Sequence, residues 1–256
     1  CNAAISACEK AGLWQLALAI LGSMTGTGVA PDIVSCSAAI SACEKARQWN
    51  LALVLLGSTS VLRVAPNIVS RGAAISACGV GGHWQLALAL LGGTAGPQLA
   101  PCLVSCNAAI SACEKGAQWL QAMALLGCVG GLRLTPDIIS FNAAIGAAEK
   151  CSHWPAAMAL LGDGLTATSV APDVISCNTA LSACGGGAQW QLACACLGLA
   201  PHWRVAPDSV TCGTAIAACE KGGQWEVGLS LLQLTTPSMG LLMQPAVGTQ
   251  PAGAKK

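Results

Sequence analysis

The sequence contains no tyrosine, one phenylalanine, three histidines and only 9% charged residues. A globular domain ordinarily carries roughly 25% charged residues, so this surface must be built largely from alanine, glycine, leucine and uncharged polar groups. The formal net charge of +1 gives no overall field that would attract a polyanion, and a nucleic-acid reading has to rest on where the charges stand. His83, His153 and His202 converge on no metal or catalytic motif; C-x-x-C pairs and the H-x-E plus P-C-x-x-C signature of zinc deaminases are absent. Neither a metal, a cofactor nor a catalytic centre is expected. No apolar stretch approaches the roughly 18 residues of a membrane span. The run from Ala122 to Leu132 is broken by glycines and ends at Arg133, so no membrane partner is expected either. The chain opens at Cys1 with a repeating unit already under way, and it is expected to be a fragment whose N-terminal region, with any targeting segment, lies outside it.

What is present in quantity is repetition. Trp14, Trp49, Trp84, Trp119, Trp154, Trp190 and Trp225 are spaced 35, 35, 35, 35, 36 and 35 residues apart. Pro31, Pro66, Pro101, Pro136, Pro172 and Pro207 follow the same steps. A fixed period between 20 and 50 residues in two independent residue types marks a solenoid or a propeller. One extra residue falls between Trp154 and Pro172, toward the end of one unit.

Each unit reads as two helices. From Ile33 to Lys45, Val34, Cys36, Ala39, Ile40 and Cys43 fall near the three- and four-residue spacing of a helix face. A break at Ala46-Arg47-Gln48 precedes a second apolar helix from Trp49 to Leu56 that ends at Gly57. Pro155, directly after Trp154, suits the first turn of a helix. Strand alternation is absent, which excludes propeller blades and leaves an all-α solenoid. Neither helix of a unit can bury its apolar face alone, so units must stack, and residues at equivalent places form ladders. The tryptophans read as such a packing ladder rather than as platforms for stacked bases.

Eleven of the sixteen cysteines occupy two places in the unit. Cys1, Cys36, Cys106, Cys177 and Cys212 hold one; Cys8, Cys43, Cys78, Cys113, Cys184 and Cys219 hold the other. Seven residues on a helix span about 10.5 Å, beyond the roughly 7 Å reach of a disulfide. They read as reduced thiols packed as small hydrophobes.

The string from Pro136 to Lys150, PDIISFNAAIGAAEK, recurs every 35 residues and resembles the pentatricopeptide repeat of the P type. Tetratricopeptide repeats run at 34 residues with a differently placed Trp and Pro. The resemblance covers Cys1 to about Leu234. It implies a right-handed α-solenoid of about seven 35-residue helix-turn-helix repeats over residues 1–234, with residues 235–256 as a disordered tail. The first helices would line a groove for single-stranded RNA, reading about one base per repeat. By the same resemblance, base-reading pairs are Asn2 with Asp32, Ser37 with Asn67, Asn107 with Asp137, Asn142 with Asp173, and Asn178 with Asp208. Gly72 with Cys102 has no usable readout, and the seventh repeat has Gly213 without a closing Pro-Asp. Asn/Asp would assign uracil and Ser/Asn adenine, giving U-A-N-U-U-U with the N-terminus at the RNA 5′ end. Val34, Val69, Val104, Ile139, Ile175 and Val210 would sandwich successive bases. Lys10, Lys45, Lys115, Lys150 and Lys221 would face phosphates, Val80 and Gly186 replacing them in repeats three and six. Five such contacts predict a salt slope of about −3.5 for a single strand. Mitochondrial or plastid RNA processing follows from the resemblance alone.

Other readings stand beside these. An Asp or Asn closing each unit also suits the N-cap of the following helix, and the lysines beside Glu9, Glu44, Glu114, Glu149 and Glu220 also suit a solvated stripe. A solenoid of this kind could instead hold protein partners, which its low charge favours. No small-molecule substrate is expected. The glycines of repeats three and six, Gly79, Gly81 and Gly82 and Gly185 to Gly187, predict soft helix ends, since a mid-helix glycine costs about 1 kcal/mol.

Overall fold

Helix boundaries follow directly from the caps. Asp32, Asn67, Asp137, Asp173 and Asp208 sit in extended backbone and accept the N–H of the residue three positions on, and that residue's hydroxyl accepts the cap's own N–H. This reciprocal capping box satisfies two donors that a helix start leaves open. In the computed structural model, which describes residues 1–26, 28–62, 64–93 and 101–235, the result is a stack of seven hairpins. The first helices are α1 (Asn2–Ala11), α3 (Ile33–Lys45), α5 (Ile68–Val80), α7 (Leu103–Lys115), α9 (Ile138–Lys150), α12 (Val174–Gly186) and α14 (Ser209–Lys221). The second helices are α2 (Trp14–Gly26), α4 (Trp49–Val61), α6 (Trp84–Gly92), α8 (Trp119–Gly131), α10 (Trp154–Ala159) with α11 (Leu165–Ala167), α13 (Trp190–Leu199) and α15 (Trp225–Thr235). The tail expected from residue 235 onward begins within α15, and the rest of it lies outside the described residues.

Every inner turn has one left-handed residue two positions before the tryptophan: Gly12, Arg47, Gly82, Ala117, Ser152, Ala188 and Gly223. The next residue then donates its N–H back to the first helix, as Gln48 does to the Cys43 carbonyl at 2.8 Å and Gln118 to that of Cys113 at 2.8 Å. This closes the helix end in a Schellman arrangement and aims the second helix back along the first.

Successive first helices pack side by side, and each second helix rests on its own first helix and on that of the next hairpin. The seams are filled by ladders. Ile5, Ile40, Ile75, Ile110, Ile145 and Leu181 are fully buried, as are Ala17, Ala52, Ala87, Ala122, Ala157 and Ala193 where the second helices approach. Each large aliphatic residue removed from water is worth about 1.5–3 kcal/mol. Of the cysteine ladders, Cys8, Cys36, Cys43, Cys78, Cys106, Cys113, Cys177, Cys184 and Cys219 are buried, and all sixteen thiols are free.

The tryptophans are packing residues. Trp49, Trp84, Trp154 and Trp190 lie on the turn of the following hairpin, where a Cβ on Gly81, Gly116, Gly187 or Gly222 would overlap the indole Cδ1. Trp225, with no following hairpin among the described residues, is 65% exposed. Of the glycines expected to soften repeats three and six, Gly79, Gly81, Gly186 and Gly187 sit at close approaches instead, whereas Gly82 has open space around it and Gly185 makes only an ordinary contact. A Cβ on Gly79 would stand 3.0 Å from that of Ala112, and one on Gly186 would stand 2.8 Å from the Ser152 hydroxyl. They allow tight stacking, which offsets part of their helix cost.

The extra residue between Trp154 and Pro172 is absorbed as a π-helical turn, Leu160–Gly164, between α10 and α11. A single insertion in an α-helix commonly relaxes this way. It occurs where Phe141 replaces the ladder cysteine, and a Cβ on Gly164 would stand 3.1 Å from Phe141 Cε1. The larger ring and the widened turn occupy the same seam. Among the described residues, no helix is long and apolar enough to cross a membrane.

Candidate nucleic-acid interface

The first helices present one continuous face, and three ladders run along it. The first is made by the capping residues. An N-cap carboxylate uses one oxygen on its own helix and has capacity left for a neighbour. Asp32 Oδ1 accepts the Ser35 N–H at 2.8 Å while its Oδ2 accepts Asn2 Nδ2 at 2.8 Å, thirty residues back in the chain. Asn107 Nδ2 donates to Asp137 Oδ1 at 3.0 Å, Asn142 Nδ2 to both oxygens of Asp173 at 3.1 and 3.3 Å, and Asn178 Nδ2 to Asp208 Oδ1 at 3.4 Å. The Ser37 hydroxyl lies 3.3 Å from Asn67 Oδ1 and also 2.6 Å from the Ile33 carbonyl, to which its single hydrogen is better placed to donate. The fold therefore brings together all five pairs expected from the sequence. The capping role and the pairing coexist in the same side chains.

Because a carboxylate only accepts, it fixes the amide's orientation: Nδ2 faces the acid and Oδ1 turns away. In Asn142 and Asn178 that Oδ1 is buried without a partner. In Asn107 it accepts the Ser140 hydroxyl at 2.6 Å. Asp32, Asp137 and Asp208 are favoured in the ionised form. The Ser35 N–H, then Asn2, lower the Asp32 pKa, and the Thr211 N–H and hydroxyl lower that of Asp208. Burial raises that of Asp137, but hydrogen bonds donated by Ser140 and Asn107 outweigh it and leave it lowered. In the third hairpin Gly72 offers no side chain, and Cys102, the N-cap residue of α7, faces Ser105.

The second ladder is aliphatic. Val34, Val69, Val104, Ile139, Ile175 and Val210 are between 53% and 72% exposed, one on the first turn of each first helix from α3 to α14. With the amides they line an open groove, in which a cavity of about 560 Å³ is lined by Ile139, Asn142, Ile175, Asn178 and Val210 from α9, α12 and α14.

The third ladder is charged, and here the structure adds partners that spacing did not reveal. Lys45 Nζ lies 2.9 Å from Glu9 Oε1, and Lys150 Nζ lies 3.0 Å from Glu114 Oε1. Each pair joins neighbouring hairpins across 36 residues. Lys10, Lys115 and Lys221 make no ion pair among the described residues and are exposed. Glu149 accepts the Ser182 hydroxyl at 2.8 Å, and burial, partly offset by a hydrogen bond from Ser76, raises the Glu44 pKa. Among the described residues no group of three potential metal ligands gathers.

The family description "Pentatricopeptide repeat domain" matches residues 19–81, and "PPR repeat" matches residues 1–29. No curated protein sequence matches the chain. Among solved structures, the pentatricopeptide repeat protein PPR10 from maize superposes with a TM-score of 0.60 at 19% identity, over 93% of this chain and 39% of that one. PPR10 in complex with an 18-nt psaJ RNA element gives 0.52 at 22% identity, over 93% and 38%. The chain thus spans about two fifths of that protein's length, and at these identities the likeness establishes the fold.

Proposed function

We propose that this chain is an array of pentatricopeptide repeats throughout, and that its groove binds single-stranded RNA with about one base per repeat and without chemistry on it. The observation that carries the reading is the alternation along one face of exposed β-branched residues with five amide or hydroxyl to carboxylate or amide pairs. Val and Ile left more than half exposed at six successive repeats have no packing reason, whereas flat bases inserted between them would cover them. The amides supply the other half of recognition. In Asn142 and Asn178 the acceptor stays unsatisfied in the free protein, a cost of about 1–3 kcal/mol for a buried polar atom. Turning that side chain toward a base whose edge donates N–H and accepts at a carbonyl, as uracil does, would relieve it.

The element that follows is U-A-N-U-U-U, the unread position falling at Gly72 and Cys102. The setting belongs to the same proposal: RNA processing or stability in a mitochondrion or plastid. A second reading, a protein-binding scaffold, is favoured by the outer layer, whose second helices carry only Asp163 and Glu226 as charged residues. Anisotropy titrations of labelled U-A-N-U-U-U and of a version with G and C in place of the uracils separate the two. Preference for the first supports readout, and absence of binding to both leaves the scaffold.

A further inference from the structure

Building on the RNA-binding reading, we infer that Lys115 and Lys221 are left free as phosphate contacts of the groove, whereas Lys45 and Lys150 serve to join neighbouring hairpins. The distinction comes from the residue 36 positions earlier. A lysine on this ladder reaches back to the residue that precedes the ladder lysine of the previous hairpin. That residue is Glu9 for Lys45 and Glu114 for Lys150, at 2.9 and 3.0 Å. For Lys115 it is Gly79, and for Lys221 it is Gly185.

At Gly79 a Cβ would stand 3.0 Å from that of Ala112 on the next helix, so there close stacking and the removal of a carboxylate are one substitution; at Gly185 it would make an ordinary 3.5 Å contact with that of Ala218. Repeats three and six have lost their own lysine as well, to Val80 and Gly186. That leaves Glu44 and Glu149 without a lysine from the next hairpin, and Glu149 takes the Ser182 hydroxyl at 2.8 Å in its place.

The consequence is a ladder in which not every lysine is equally available. Lys115 and Lys221, three repeats apart, meet glycine where Lys45 and Lys150 meet glutamate. Repeats three and six, whose glycines predict soft helix ends, would then set where the free lysines fall. Without Lys45 and Lys150 the salt slope for single-stranded RNA falls from about −3.5 to about −2.

The test compares Lys115→Met, Lys150→Met and Glu114→Gln by anisotropy with U-A-N-U-U-U over a salt series, with circular dichroism confirming that each is helical. Lys115→Met should weaken binding several-fold at low salt and make the slope shallower by about 0.7. Lys150→Met should leave the slope unchanged, and Glu114→Gln, by releasing Lys150, should steepen it by about 0.7. Equal losses for Lys115→Met and Lys150→Met, in a chain that binds the RNA, would overturn the assignment alone. A wild-type chain that binds no RNA would overturn the functional reading and this inference with it.

Discussion

Asn142 Nδ2 donates to both carboxylate oxygens of Asp173, at 3.1 and 3.3 Å, while Asp173 Oδ1 also accepts the Ser176 N–H at 2.7 Å and so starts α12. One carboxylate thereby caps its own helix and orients the amide of the previous repeat. The two roles can be separated by substitution. Asp173→Ala removes both, and should cost about 0.5–2 kcal/mol in a denaturant titration. Asp173→Asn keeps the cap, as Asn67 does for α5 through its 2.7 Å bond from the Ser70 N–H, and should change stability by under about 0.5 kcal/mol. It replaces the acceptor facing Asn142 by an amide able to donate, so base preference at that repeat should shift while the melting curve does not.

The turns and the outer helices call for opposite exchanges. Ala117 holds a left-handed conformation at φ 51°, which costs a non-glycine residue about 1–2 kcal/mol; Ala117→Gly should recover about 1 kcal/mol. Gly127 lies inside α8, and a Cβ there would meet nothing within 4 Å. Gly127→Ala should therefore add about 0.5–1 kcal/mol. Gly57 in α4 is equivalent. Urea midpoints of the single variants and of the double variant check both signs and their additivity.

Stability should follow pH with two opposing signs. Glu44 has its pKa raised above the ordinary 4.5 by burial. Its charged form is thus disfavoured in the fold, and stability should rise as pH falls through that raised value toward 4.5. Asp32, Asp137 and Asp208 have theirs lowered below 3.8 by hydrogen bonds to their carboxylates. Their contribution is complete above 3.8 and is lost as pH falls through the lowered values. Glu44→Gln should abolish the first rise and keep the acid-side loss, which denaturant midpoints across the acidic range would reveal.

The buried thiols should be inert in the native state. Burial pushes Cys43, Cys113, Cys177 and Cys184 up to about 11, and Cys196 up to about 12. The reactive thiolate is scarce there at mildly alkaline pH. Iodoacetamide should modify exposed Cys1 and Cys128 first and reach the buried ladders only in denaturant. Peptide mass spectrometry would detect equal native labelling, which would contradict the packing described.

The fold was legible because its period is written twice, in tryptophan and in proline, and each unit carries its own caps and stops. The pairs were legible only through the family resemblance, and the stacking of the hairpins brings residue 142 against residue 173 at 3.1 Å. Less legible were contacts that depend on how closely two hairpins approach. The 36-residue reach of Lys45 to Glu9 is not a local spacing, and Gly79 looks like a flexible helix end until Ala112 is found against it. The 18-residue interval after Trp154 announced an insertion, but not its form as a π turn beside Phe141.

The most direct test is fluorescence anisotropy of this chain with U-A-N-U-U-U RNA, the same length with G and C replacing the uracils, and duplex DNA, across a salt series. The account predicts salt-sensitive binding to the first, weaker by orders of magnitude for the second if each readable repeat discriminates by about 1 kcal/mol, and none to the duplex. Equal binding to the two RNAs, or no binding by protein shown to be helical, would contradict base readout by the Asn and Asp pairs.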